Sequence, residues 1–271
     1  MRLSPELGHV CLESTNLMST NSQLLSIKDL SISFGGLKAL NKVSIEINKN
    51  EIIGLIGPNG AGKTTLFNAL SGLVEIDSGV LEINGTQHEW PKPYELIDLG
   101  ISRTLQGVGL FPELTVLENV MIGGSNFARS GLISAALGLS AKDESKLKAR
   151  AMTALERVYA TGIANRRADT LDYPVTKRVA LARALISEPK ILLLDEPAGG
   201  LGPQDIEWMN SLIHNLSSQC SVILVEHHMD VVMSVCNRLY VLNFGQVIAS
   251  GDVESVRRNP DVVAAYLGAH A

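Results

Sequence analysis

The fold of this chain is decided by Gly57-Pro58-Asn59-Gly60-Ala61-Gly62-Lys63-Thr64-Thr65, a stretch that fits the pattern G-x-x-x-x-G-K-[ST] without a mismatch. Glycines in such a loop let the backbone curl, so that consecutive N–H groups point at phosphate oxygens. Lys63 can then reach the β- and γ-phosphates of a nucleotide, and the Thr64 hydroxyl can ligate Mg²⁺. A plain tight turn is the alternative interpretation, but the Lys-Thr pair favours a site for a nucleoside triphosphate.

The residues on either side of this phosphate loop supply a suitable context. Residues 51–56 have the pattern of a buried strand, and residues 64–70 have that of the first turns of a helix. Phosphates bound by the loop would therefore lie at a helix N-terminus, where backbone N–H groups and the helix dipole both attract anions.

Further strands are predicted before and after the loop. Alternation with period two at residues 25–27, 31–34, 43–47 and 79–85 indicates an antiparallel β patch, whose last member ends in an Asn-Gly turn. Two continuous apolar runs suit a parallel sheet that is covered on both faces. These runs are Ile191-Leu192-Leu193-Leu194 and Val222-Ile223-Leu224-Val225, and a last β patch follows at residues 238–248.

The pattern turns helical from about Pro91 to Asp172. Within this range Leu147, Ala151, Leu155 and Val158 recur at helical spacing along a charged segment. We therefore expect a helical subdomain between the two apolar runs and the phosphate loop.

Carboxylates and a histidine follow the two apolar runs. Asp195 and Glu196 come directly after the first run, and His227 follows the second. The carboxyl ends of parallel strands form the ligand-binding edge of an α/β sheet. We predict that Asp195 holds Mg²⁺, through water, and that Glu196 polarises the attacking water. We predict that His227 hydrogen-bonds a γ-phosphate oxygen and the same water. The alternative is that these three are solvated surface residues.

Composition narrows the function classes. The net charge is −5 and the sequence has no basic stripe, which argues against a nucleic-acid partner. Cys11, Cys220 and Cys236 lack metal-type or redox-type spacing, which suits reduced thiols in the cytosol. No apolar run approaches the roughly 20 residues that span a bilayer. We expect residues 1–22 to form a disordered polar leader, in which Met18 is an alternative start.

In their order and spacing, these motifs resemble those of the ATP-binding subunits of ABC transporters, from about Leu25 to the C-terminus. The resemblance makes Phe34 the aromatic side chain that stacks on adenine; its alternative is a core position in an edge strand. Gln106, within Arg103-Thr104-Leu105-Gln106, matches the glutamine that contacts Mg²⁺ and the attacking water. That glutamine also links the subunit to its transmembrane partner.

Two runs are similar to one branch of this family, the ATPases of branched-chain (hydrophobic) amino-acid importers, and specifically to the longer of their two ATPase subunits. These runs are residues 110–120 and 259–268, with the helical stretch after Asn126 between them. Within that stretch residues 131–139 are apolar enough to contact a partner or the bilayer surface, and a buried helix is the alternative.

Two positions depart from the family pattern. The signature, usually Leu-Ser-Gly-Gly-Gln or Leu-Ser-Tyr-Gly-Gln, is replaced by Leu171-Asp172-Tyr173-Pro174-Val175. In the family this motif binds the γ-phosphate held by the opposite subunit, and Pro174 has no N–H to donate. Asp172 places a negative charge where a hydroxyl is expected, although it can cap the following helix. Gly202 stands where Asp or Asn is usual.

We therefore predict an α/β protein, a RecA-like P-loop NTPase core that carries an antiparallel β subdomain and an inserted helical subdomain. Residues 1–22 form the leader, residues 23–91 and 173–271 the nucleotide-binding core, and residues 92–172 the helical subdomain.

The resemblance implies an enzyme, an ATPase that uses ATP and Mg²⁺ to power solute import. It implies Glu196, His227, Gln106 and Lys63 as catalytic residues and Thr64, Asp195 and Gln106 as metal ligands. The implied partners are two transmembrane permease subunits, a second ATPase with a consensus signature and, through the permeases, a substrate-binding protein. The place of action is the cytoplasmic face of the inner membrane. A lipid or lipopolysaccharide exporter ATPase and a soluble ATP-driven switch are the alternatives.

Overall fold

The computed structural model describes residues 23–104, 107–124, 127 and 140–267, and these residues form two sheets with helices packed around them. The leader at residues 1–22, Gln106 and the apolar run at residues 131–139 lie outside the described residues. Within the described part, no helix combines the length and the apolar character that crossing a membrane requires.

The larger sheet has six strands in the order β10-β9-β3-β8-β7-β6. Its strands are β3 Ile52–Ile56, β6 Ile101–Arg103, β7 Ile191–Asp195, β8 Ser221–Val225, β9 Arg238–Asn243 and β10 Gln246–Asp252. Neighbours from β9 to β6 pair in parallel, and β10 pairs antiparallel with β9. Every residue of β3, β7 and β8 is buried, which confirms the parallel sheet covered on both faces.

The smaller sheet is antiparallel and has the order β2-β1-β4-β5. Its strands are β1 Gln23–Phe34, β2 Leu37–Asn48, β4 Ser78–Ile83 and β5 Thr86–His88. Buried and exposed residues alternate along β2, so one face of this sheet packs on the core and the other faces water. Phe67 of the first helix is fully buried in the core cluster that this sheet shares with β3.

Eight α-helices occur in the described residues. They are α1 Lys63–Leu70, α2 Val116–Ile122, α3 Ser140–Arg157, α4 Tyr173–Leu185, α5 Pro203–Leu216, α6 Met229–Val235, α7 Val253–Arg257 and α8 Pro260–Leu267. Single 3-10 turns lie at Pro93–Glu95, Thr161–Ile163 and Ala168–Thr170.

Helices α2, α3 and α4 lie between β6 and β7 in the sequence, and the three helices pack against one another. The apolar stripe expected from the sequence is buried here, since Ala151, Leu155 and Val158 have no exposed surface and Leu147 has little. Helix α2 begins with a capping box in which the Thr115 hydroxyl accepts a hydrogen bond from the Glu118 backbone N–H.

One part of the range 92–172 differs from the helical expectation. Ile101–Arg103 forms β6 and pairs in parallel with β7, so these residues belong to the edge of the core sheet. A strand of three residues with one serine and one arginine has no period that a sequence pattern can show. The other bounds of the subdomains stay predictions.

Replacing Leu155 with alanine tests the packing of the helical region. Leu155 is fully buried, so Leu155→Ala removes apolar contacts and leaves a cavity. We expect the free energy of unfolding in urea to fall by about 2–5 kcal/mol. The control is Glu156→Ala on the exposed side of the same helix, for which we expect a change within about 0.5 kcal/mol. Equal losses in the two variants would contradict this packing.

Candidate nucleotide site

The phosphate loop joins β3 to α1 in a conformation that depends on glycine. Gly57, Gly60 and Gly62 all have positive φ, at 148°, 79° and 106°. A side chain at Gly57 would collide with the Leu242 carbonyl oxygen, and one at Gly62 would lie 2.8 Å from the Ala39 carbonyl oxygen. The loop therefore takes a shape that other residues cannot adopt.

The loop ends at the N-terminus of α1, which begins at Lys63 and has no side-chain cap. The first backbone N–H groups of a helix have no partner within the helix, so this end is suited to bind an anion. Thr64, the first predicted metal ligand, is exposed here. Its hydroxyl is the type of oxygen ligand that Mg²⁺ accepts.

The ammonium group of Lys63 folds back over the loop. Its Nζ donates hydrogen bonds to the carbonyl oxygens of Gly57 at 2.6 Å and Pro58 at 2.9 Å. Burial lowers the pKa of Lys63, and attraction to the carboxylates of Glu196 and Asp195 opposes that shift. Lys63 therefore lies close enough to be attracted by the carboxylates of both Glu196 and Asp195, which the sequence predicts as site residues.

Asp195 ends β7 as a buried carboxylate and pairs with Arg103 at the end of β6. Arg103 Nη2 lies 2.8 Å from Asp195 Oδ2, and only 11% and 5% of these two side chains is exposed. Arg103 Nη1 also donates to Asn68 Oδ1 at 2.8 Å and to Ser71 Oγ at 3.2 Å, both on or next to α1. Arg103 therefore connects the predicted metal carboxylate to the helix that follows the phosphate loop.

Glu196 and His227 face each other across the ends of β7 and β8. His227 Nδ1 lies 3.4 Å from Glu196 Oε1, and 55% and 26% of these side chains is exposed. The parallel pairing of Asp195 with Val225 brings the two strand ends together. A carboxylate and an imidazole in contact at an open sheet edge can accept a proton from a bound water or donate one to it.

Phe34 ends β1 beside the turn at Gly35 and Gly36, which both have positive φ. Its side chain is 49% exposed, so the alternative of a core position is wrong. An exposed aromatic ring at a strand end offers a flat apolar face on which a base can stack. Its contact with adenine stays a proposal.

The divergent signature precedes and begins α4. Asp172 occupies the N-cap position with extended backbone, but its side chain makes no capping hydrogen bond, so that detail of the expectation is wrong. Pro174 lies in the first helical turn, where a missing N–H costs nothing. The helix is therefore intact although the serine and glycine of the family signature are absent.

Gly202 is the N-cap of α5 and has extended backbone with negative φ. A Cβ added there would meet no atom within 4 Å. The site therefore has room for the Asp or Asn that is usual in the family, and local packing does not require glycine.

Sequence reasoning missed Arg103 as a site residue, although it lies only three positions before Gln106. Arg103 and Asp195, which form this ion pair, are 92 residues apart in the chain. Arg103 reaches Asp195 because β6 pairs with β7, and the three residues of β6 show no sequence pattern that predicts this pairing.

Two family descriptions match this sequence. The family described as "ABC transporter" matches residues 40–199. The family described as "Branched-chain amino acid ATP-binding cassette transporter" matches residues 246–271, which include α7 and α8.

Known proteins are similar over most of the chain. The high-affinity branched-chain amino acid transport ATP-binding protein LivG of Salmonella typhimurium is 41% identical over 249 residues, which are 90% of this chain and 98% of that protein. The structure of a nucleotide-free ATP-binding cassette from an ABC transporter has a TM-score of 0.80 and 32% identity, and the match covers 90% of this chain and 98% of that one.

A dimeric ATP-binding cassette bound to ADP and Pi, in a post-hydrolysis state, has a TM-score of 0.71 and 25% identity, with 85% and 99% of the two chains covered. The phosphate loop, the acids after β7 and these matches point to one class of protein, the ATPases of ATP-binding cassettes. This chain belongs to the ABC transporter ATP-binding family.

The buried pair of Arg103 and Asp195 can be tested by Arg103→Met, which keeps an apolar stem and removes the charge. Asp195 would remain buried without its partner, so we expect the free energy of unfolding in urea to fall by about 3–5 kcal/mol. Lys28→Met is the control, because Lys28 forms an exposed pair with Glu82 and should contribute about 0–1 kcal/mol. Similar losses in both variants would show that the Arg103 pair is not effectively buried.

Proposed function

We propose that this chain hydrolyses ATP to drive import of branched-chain or related amino acids. The observation that carries the proposal is the position of Glu196 and His227, in contact at 3.4 Å, with Lys63 of the phosphate loop within electrostatic range of Glu196. The substrate class is supported by the similarity to LivG, a branched-chain amino acid transport ATP-binding protein, and by the match of the C-terminal residues to the branched-chain amino acid cassette family.

Each residue has a defined role in this proposal. The loop from Gly57 to Thr65 surrounds the phosphates, which bind to its backbone N–H groups, except at Pro58, which has none, and to the Lys63 ammonium group. Phe34 stacks on the adenine. Thr64 and, through water, Asp195 would hold Mg²⁺, which would offset the negative charge of the phosphate oxygens. Gln106 lies outside the described residues, and its proposed role is to contact the metal and the attacking water.

Hydrolysis then needs a positioned water and a place for its proton. Glu196 accepts a proton from the water while the water oxygen bonds to the γ-phosphorus and the bond to the leaving ADP oxygen breaks. His227 hydrogen-bonds a γ-phosphate oxygen and keeps Glu196 oriented. These roles fit the open sheet edge, where 26% of the Glu196 side chain is exposed to a reactant.

The proposed partners follow from the membership in a transporter family. Two transmembrane permease subunits form the path for the solute, and a substrate-binding protein delivers it to them. This chain docks at the cytoplasmic face of the inner membrane through the region around Gln106 and the helical subdomain. It binds no nucleic acid.

We further propose a heterodimer with two unequal sites. The dimeric cassette with ADP and Pi supports a dimer as the working unit of this fold. The site that this chain nucleates has Lys63, Asp195, Glu196 and His227, and a partner ATPase supplies the signature. The partner's site is closed by Asp172 and Pro174, which offer a like charge and no N–H to its γ-phosphate.

Glu196→Gln tests the proposed base. The amide is isosteric but cannot take a proton from water, so we expect hydrolysis by the complete complex to fall about 10²–10³-fold. Affinity for a fluorescent ATP analogue should stay unchanged, because the phosphate loop is intact. Glu207→Gln on the exposed side of α5 is the matched control and should hydrolyse at the wild-type rate. Undiminished steady-state turnover in the Glu196 variant would remove this residue from the role.

Restoring the signature tests the asymmetric dimer. In a reconstituted complex that carries Lys63→Ala, the remaining hydrolysis comes from the partner's site. Adding Asp172→Ser and Pro174→Gly should raise that rate, because a hydroxyl and a backbone N–H become available to the γ-phosphate. In a complex with an intact Lys63, the site built on Lys63 should change little. A homodimer of this chain that matched the rate of the complex would contradict the unequal sites.

A further inference from the structure

The backbone at Glu196 has an unusual conformation. Its φ is +48°, in the left-handed region that side chains other than glycine seldom adopt. Such a conformation persists when the surrounding groups fix it, and it is found preferentially at functional sites. The groups that fix the peptides after Glu196 can be identified, and two of them are buried charged side chains.

Lys177 of α4 is the first. This lysine is 9% exposed, and its Nζ donates hydrogen bonds to the carbonyl oxygens of Glu196 at 2.7 Å and Pro197 at 3.1 Å. Tyr173, one turn earlier, lies with its ring centroid 5.5 Å from the same Nζ. The ammonium group therefore binds two successive carbonyl groups and lies near the aromatic ring at the start of α4.

Glu226 at the end of β8 is the second. Only 1% of this residue is exposed. Its Oε1 accepts a hydrogen bond from the Ala198 backbone N–H at 2.7 Å, and its Oε2 accepts from the His227 and His228 N–H groups at 3.1 and 3.4 Å. One carboxylate thus holds the peptide that follows Pro197 and also the peptide of His227.

Lys177 and Glu226 carry opposite charges, and both are buried. Burial lowers the pKa of Lys177, and attraction to Glu226 and then Glu196 opposes that shift. A buried charge is tolerated when an opposite charge and hydrogen bonds satisfy it. Here Lys177 is satisfied by the carbonyl groups of Glu196 and Pro197. Glu226 is satisfied by the N–H groups of Ala198, His227 and His228.

We propose that Lys177 and Glu226 are positioning residues that orient the catalytic pair of Glu196 and His227. Lys177 fixes the carbonyl groups of the turn that carries Glu196, while Glu226 fixes the backbone of both members of the pair. The 3.4 Å contact between Glu196 Oε1 and His227 Nδ1 depends on these two anchors. This inference rests on the proposed role of Glu196 in hydrolysis.

A double-variant series separates positioning from simple charge balance. Lys177→Met and Glu226→Gln keep the side-chain shape, and each removes an opposite charge that attracts the other buried group. Each single variant should therefore melt at a lower temperature than the wild type. The double variant contains neither charge, so its melting temperature should recover towards the wild-type value.

The expected kinetic result is different. In the double variant the Nζ donor to Glu196 and Pro197 is absent, so kcat of the complete complex should stay about 10–100-fold low. KM for ATP and affinity for a fluorescent ATP analogue should stay near wild type, because the phosphate loop is unaltered. Lys177→Arg retains donors and charge and should restore kcat to within about threefold. All rates are measured at a temperature at which circular dichroism shows the variant folded.

The pair Arg238→Met and Glu51→Gln is the matched control. Arg238 Nε lies 2.9 Å from Glu51 Oε1, in a partly buried ion pair at the opposite end of β3. This double variant should keep the wild-type kcat. Recovery of both melting temperature and kcat in the Lys177/Glu226 double variant would overturn the proposal. So would a lowered kcat in Lys177→Arg equal to that in Lys177→Met. Glu196→Gln, assayed in parallel, reports separately on the proposed function, because full activity there would remove the base itself.

Discussion

The parallel pairing of β3, β8 and β7 is the constraint on which the site depends. Because these strands run in the same direction and in neighbouring positions, the segments that leave them emerge at one edge of the sheet. The phosphate loop follows β3, His227 follows β8 and Glu196 follows β7. Groups separated by more than 130 residues of chain, such as Lys63 and Glu196, are thereby brought within electrostatic range. The strand order thus determines which functional groups lie together, and the loops determine how those groups are oriented.

The electrostatics of this edge follow from burial. Asp195, Glu226 and Lys177 are all removed from water, and each is satisfied by a partner or by backbone groups. Glu196 and His227 remain accessible, and they are the two residues that we propose meet the reactant. The buried charges of this edge are thus satisfied by protein groups, whereas the accessible ones are open to a ligand. The same division explains why the predicted metal carboxylate sits on a strand, whereas the predicted base sits one residue further, on a turn.

Much of this arrangement could be predicted from the sequence, for identifiable reasons. The phosphate loop, Asp195 and His227 follow short, continuous apolar runs between turn residues, and such runs indicate buried parallel strands and the edge at which their ends lie. The antiparallel sheet was evident from its alternation. By contrast, β6 is too short to show a period, and Asp172 fills a cap position without forming the capping bond. Arg103, Lys177 and Glu226 act through contacts between distant segments, and one sequence contains no record of which distant polar groups meet.

One set of contacts around the phosphate loop has a mechanical consequence. The Gly245 N–H donates to the Ala61 carbonyl oxygen at 3.0 Å, and the Gly245 carbonyl oxygen accepts from the Asn41 N–H at 2.8 Å. Backbone hydrogen bonds therefore join the phosphate loop, the β9–β10 hairpin and strand β2 of the smaller sheet into one unit. Phe34 lies on the hairpin of the same small sheet. A nucleotide that stacked on Phe34 and bound the phosphate loop would therefore contact a single hydrogen-bonded unit, and its adenine and its phosphates would be held at a fixed separation.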